Sequence, residues 1–193
     1  MDVAANNMAN MSTAGFKRER PVFREFVETQ AEAAIAPAKR TSFVLDQGAL
    51  HDTSAGAFQA TGNPLDLMID GPGYLSVEAP GGGTAYTRAG FVKVNAEGEL
   101  TTAGGQRILG EGGRPIAVPA EAMATLSIGA DGTVQSKDGA IGRIAVTVFD
   151  DERGVTPRGD GLMTGANGRE LAAAETRLKT GGIEGSNVEP IVE

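Results

Sequence analysis

The chain has no cysteine, no tryptophan and a single histidine among its 193 residues. Without cysteine it holds no disulfide framework, thiol nucleophile or thiolate metal site. With His51 alone it holds no histidine metal cluster, and any serine–histidine triad would have to use that residue. Its place beside a polar turn reads as a surface loop instead. Aromatic residues make up 5%, and both tyrosines, Tyr74 and Tyr86, fall in strand-like runs, which leaves few exposed platforms for stacking on sugars. No apolar run has the length of a membrane-spanning helix. Leu, Ile, Val and Phe together number 41, only just above the level at which disorder becomes the default. A modest core is therefore expected, with part of the chain extended. Basic residues are outnumbered 17 to 25, for a net charge of −8, and the acidity lies beyond residue 45. Nucleic-acid binding, which calls for a basic face, is not expected. Met1 to Asn7 lacks the charged and apolar regions of a secretory signal, so any export is expected to proceed without a cleaved leader.

Glycine, by contrast, is abundant at 28 residues and dispersed, which excludes collagen and favours a turn-rich β protein. The stretch from Gly62 to Thr102 organises the chain. In Leu65–Asp70 the alternation puts Leu65, Leu67 and Ile69 on one face and Asp66 and Asp70 on the other, solvent-facing one. Gly71-Pro72-Gly73 breaks that strand, because proline cannot donate to a ladder. Runs at 74–77, 85–88, 91–94 and 99–102 follow, each joint marked by glycine. Asp131-Gly132 between 125–128 and 133–135 signals a hairpin with a type I′ turn. Arg143 to Phe149 is the most strand-like run of all. The expected fold is mainly β: an antiparallel meander, or partly closed β domain, flanked by extended segments and by the stubs of N- and C-terminal helices.

Residues 1–15 read as the end of an N-terminal helix, stopped at Gly15. Residues 16–47 read as an extended connection, with a linker at 29–39, a short strand at 43–45 and a turn at 46–50. Phe23, Phe26 and Val27 suit either a short helix or a strand. The β domain is expected over 48–165 and a return segment over 166–185, where 171–178 suits a short helix or a strand. Residues 186–193 read as the start of a C-terminal helix, with Ser186 and Glu189 spaced as a capping box. Helix stubs this short are marginal alone, so more helix is expected upstream.

No constellation in the chain supports catalysis. Asp66 and Asp70 have the look of paired carboxylates, but solvent-side alternation explains them. Asp150-Asp151-Glu152 reads as a solvated loop rather than a cation site. The glycine runs at 71–73 and 81–83 lack the Lys-Ser/Thr ending of a phosphate loop. Arg88, in YTRAG, is expected in an ion pair or a cross-strand contact.

Three separated segments resemble one family. ANNMANMSTAGFKRER at residues 5–20 is similar to the N-terminal signature of flagellar rod and hook proteins, in which an alanine- and asparagine-rich helix end runs into Gly-Phe-Lys. Residues 48–118, with GNPLDLMIDGPGYLSV and AYTRAGFVKVNAEGELTTAGGQRILG, resemble the β domain those proteins share. GGIEGSNVEPIVE resembles the segment that enters their C-terminal helix. The likeness leans to the proximal rod form, because the distal form tends to carry valine or a similar residue where Pro190 stands and a longer insertion after the N-terminal signature. The resemblance implies a structural subunit, not an enzyme, with no cofactor, metal or small-molecule substrate. Its partners would be neighbouring proximal and distal rod subunits, and its place the periplasmic rod, reached by the flagellar type III apparatus. Terminal helices would pair and stack along a screw axis, with the β domain outside. Asn6, Asn7, Asn10, Phe16, Lys17, Ser186, Asn187 and Val188 would then be subunit-contact candidates, although the asparagines alone also suit simple helix capping. A β-rich envelope-binding module is the alternative, and the scarcity of aromatics weighs against it.

Overall fold

A computed structural model describes residues 2–29, 40–151, 154–158 and 160–189. One helix, α1 (Asp2–Ala9), opens the chain, followed by the strands β1 (Glu19–Thr29) and β2 (Arg40–His51). Next come β3 (Phe58–Ala60), β4 (Leu67–Ile69), β5 (Tyr74–Glu78), β6 (Thr84–Thr87), β7 (Val92–Val94) and β8 (Leu100–Thr102). Two 3₁₀ turns lead to β9 (Ser127–Ile128), β10 (Thr133–Ser136), β11 (Gly139–Arg143) and β12 (Val146–Val148). The return half holds β13 (Thr156–Pro157), β14 (Met163–Thr164), β15 (Arg169–Glu170), β16 (Leu178–Thr180) and β17 (Gly182–Glu184). Pairing is antiparallel throughout, and no closed barrel forms among the described residues.

The largest sheet runs β13-β14-β6-β5-β12-β15. Its centre is β5, hydrogen-bonded to its hairpin partner β6 on one side and to the distant β12 on the other. Both faces of β5 are covered. Leu75 and Val77 enter the main apolar cluster with Leu67, Leu100, Ile144 and Val146. Tyr74 joins a second cluster on the opposite face, where Phe149 meets Tyr74 and Tyr86 edge-on at 5.9 and 4.9 Å. On that same face Ser76 and Thr147 share a buried hydroxyl–hydroxyl hydrogen bond of 2.8 Å. Such a doubly covered strand carries polar groups only when they are paired.

Several local expectations change. Asp66 is 3% exposed rather than solvent-facing. The 61–63 turn folds over it, so its carboxylate accepts from Thr61 Oγ1, Asn63 Nδ2 and the Val92 amide at 2.7, 2.8 and 3.3 Å. Asp70 does face solvent and pairs with Lys179 at 3.1 Å. The 129–133 turn is not type I′, because among its residues only Gly132 has positive φ. The Asp131 carboxylate instead accepts from the Thr133 amide and hydroxyl, which holds Asp131 out of the left-handed region. The run 143–149 is divided where Ile144 bridges Gly110 and the chain passes from the β9–β11 sheet to the large one. Residues 171–177 form neither helix nor strand. Helix α1 stops at Ala9, six residues short of Gly15. Asn10 donates its side-chain amide to the Asn6 carbonyl there and competes with the helix backbone. Strand β2 is continuous through 43–50, where a short strand and turn were expected, and it pairs with β1. Of the linker expected at 29–39, Thr29 ends β1 and 30–39 lie outside the described residues, as do the expected helix residues 190–193; 185–189 carry no helix.

Candidate functional site

Residues 15–18 and 184–187 meet at one place, beside the loop that follows β2. Gly15 makes this approach possible. Its φ of +68° is open to glycine, and a Cβ there would stand 2.5 Å from the backbone of Arg88. Its amide donates to the carbonyl of Glu184 at 2.9 Å. Across the junction Gly56 lies so near Gly185 that a Cβ would meet the carbonyl oxygen at 1.9 Å. The two glycines let four backbone segments, around residues 15, 56, 88 and 185, close on one another and bury whatever lies between them.

What lies between them is charged. Glu184 is fully buried, Lys17 is 2% exposed and Arg88 5%. Glu184 Oε1 accepts from Lys17 Nζ at 2.6 Å and from the Gly56 amide at 2.8 Å. Its Oε2 accepts from Arg88 Nη1 at 3.1 Å. Lys17 also donates to the Ser54 carbonyl at 2.7 Å. Arg88 donates to the Gly71 carbonyl at 2.8 Å and lies over the Tyr74 ring, 5.4 Å from its centroid. Burial pulls the Lys17 ammonium below its ordinary value, and the hydrogen bond and charge of Glu184 oppose that pull. Removing one partner from a buried group of this kind costs about 3–5 kcal/mol, because the others are left uncompensated.

Around the triad, asparagines do backbone work. Asn7 is buried, and its side chain exchanges two hydrogen bonds of 2.9 Å with the backbone of Glu19, fixing α1 to the start of β1. Asn187 accepts from the Arg18 amide at 2.6 Å and donates to the carbonyls of Asp52 and Ser54 at 2.8 and 3.0 Å. The Asp52 amide donates in turn to the Arg18 carbonyl at 2.7 Å. Asp52 also pairs with Arg20 at 2.6 Å. The side chain and amide of Ser54 hold its carboxyl below the ordinary range.

The structure therefore gathers the sequence candidates, with different tasks for each. Asn7, Lys17 and Asn187 are engaged inside the chain. Ser186 accepts from the Val188 amide at 3.3 Å, and both residues are half-buried. Asn6, Asn10 and Phe16 line a groove of about 470 Å³ together with Tyr74, Leu162 and Met163. His51 also borders it, half-buried at the end of β2 rather than on a free surface loop. Sequence reasoning allowed Arg88 an ion pair but missed its partner, Glu184. A lone acid inside the glycine-flanked run Gly181-Gly182-Ile183-Glu184-Gly185 was the available signal. Among the described residues no cluster of His, Asp and Glu could hold a metal ion, and no helix is long and apolar enough to cross a membrane.

Comparison with known proteins gives this geometry a context. Residues 68–136 match the family model described as the flagellar hook protein FlgE/F/G D1 domain, and residues 1–17 match the flagella basal body rod protein model. The chain is 32% identical to the flagellar basal-body rod protein FlgF of Caulobacter vibrioides, over all of its own length and 78% of that protein's. It is 35% identical to the rod protein FlgG of Bacillus subtilis, over 98% of its own length and 79% of the relative's. With FlgF of Escherichia coli the identity is 31%, over 98% and 77%. The matches define the class as flagellar rod and hook proteins. The chain belongs to the flagellar basal-body rod protein family.

Proposed function

We propose that the chain is a structural subunit of the bacterial flagellar basal-body rod, built into it beside other rod and hook proteins and doing no chemistry of its own. The observation that carries this reading is the match at two separate places, residues 1–17 and 68–136, which the fold brings together at Gly15 and Arg88. A screw-related contact repeated from subunit to subunit yields a filament rather than a closed ring. Asn6, Asn10 and Phe16 on the groove, with Ser186 and Val188 beside it, are the residues we assign to contacts with neighbours. Asn7, Lys17 and Asn187 hold the junction in shape behind them. The proximal rod is the favoured position, on the proline at 190 and the short connection after the N-terminal signature. Passage through the flagellar export apparatus completes the reading. Basal bodies purified from the native host should contain the chain in rod-like stoichiometry. Absence from them, together with normal motility in a strain lacking the chain, would refute the assignment.

A further inference from the structure

The apolar interior and the junction are separate. Neither apolar cluster contains a residue of 2–19, 51–57 or 185–189. Within those segments the described polar contacts are mostly internal: Asn7 with Glu19, Arg18 with Asn187 and Asp52, and Asn187 with Ser54. They form a polar unit with little hydrophobic grip on the β domain. The Glu184 carboxylate stands at the boundary and divides its two oxygens between the sides. Oε1 takes Lys17 and the Gly56 amide from the unit, and Oε2 takes Arg88 from the end of β6.

We infer that Glu184 is a latch: its carboxylate fixes the angle between the unit built from residues 2–19, 51–57 and 185–189 and the β domain, and without it the unit swings while the β domain stays folded. Charge supports the single-latch form. Lys17 and Arg88 are both buried cations, and among the described residues Glu184 is the one anion in contact with either. Without that anion two like charges face one another in a dry space, and outward movement of the unit is the relief that leaves the apolar clusters intact. Hinges of this kind, where a few residues at element ends set the orientation of two packed bodies, are an ordinary route to domain motion. The latch is a property of the chain alone and holds whichever assembly the subunit joins.

The absence of cysteine makes the test direct, since introduced cysteines are unique labelling sites. Spin labels at Ser12→Cys and Asp138→Cys report across the boundary, and a control pair at Glu97→Cys and Asp138→Cys reports within the β domain; all three positions are exposed. In the otherwise unaltered chain both pairs should give narrow distance distributions. Glu184→Gln should broaden the first by about twofold or more and leave the control narrow, as expected when one body opens and the other does not. Lys17→Met, which removes the charged partner from the unit's side and leaves the Gly56 amide and Arg88 on the carboxylate, should do the same. An unchanged Ser12–Asp138 distribution in both variants would overturn the latch. So would broadening of the control pair or failure of Glu184→Gln to fold, since Glu184 would then hold the β domain itself together.

Discussion

At the scale of single residues, Asp52 shows how the junction responds to acid. Hydrogen bonds from Ser54 come first among the causes that hold its carboxyl below the ordinary 3.8, and Arg20 adds to them. A carboxyl lowered in the folded state lends stability that is complete above its unfolded value and is lost as pH falls through the lowered one. Above pH 3.8, therefore, Asp52 should keep the 51–56 loop seated, and loosening should begin only below that value. The Ser54 amide, which donates to Asp52 Oδ1 at 3.1 Å, is the reporter. Its exchange, corrected for intrinsic rate, should rise on acidification below pH 3.8 in the native chain. It should lack that step in Asp52→Asn, where no charge remains to titrate. A step of equal size in the Asn variant would assign the loosening to some other group.

At the scale of elements, the strands differ in what supports them. Strand β4 is buried along its whole length, with Leu67 at 1% exposure. Leu67→Ala should lower unfolding stability by about 2–4 kcal/mol, combining lost burial with the cavity left behind. Denaturant titration measures it, and a change below about 0.5 kcal/mol would mean that the β4 neighbourhood had been misread. The β1–β2 hairpin is the opposite case, because its two strands form a sheet of their own. Two strands without a third are marginally stable in water, so amides of β1 and β2 should exchange far faster than those of β5 and β12. Equal protection would contradict that ranking. The alternating apolar residues of 65–77 and the glycine joints made the β class and the β5–β6 and β7–β8 hairpins legible in the sequence. The β5–β12 pairing was not, because strand order is decided by contacts some seventy residues apart that no local pattern encodes. Asp66 was misplaced for a related reason: alternation identifies opposite faces, but cannot tell when a turn from elsewhere covers the second one.

For the whole molecule, the candidates near the ends were legible as a set because residues 5–20 and 181–193 resemble matching segments of one family. Their division of labour was not legible, since it depends on the buried carboxylate at 184 and on backbone groups that the asparagines satisfy. We propose that the chain joins the rod through this junction and not through the faces of its β domain. Val188 belongs to neither apolar cluster and is half-buried beside Asn187, so a charge placed there should disturb contacts at the junction and leave the fold alone. The most direct measurement is motility and basal-body incorporation of Val188→Asp in the native host, with amide exchange of β5 and β12 read on the same purified variant. Lost motility, no incorporation and unchanged β5 and β12 protection are expected; full motility with normal incorporation would move the subunit contacts onto the β domain.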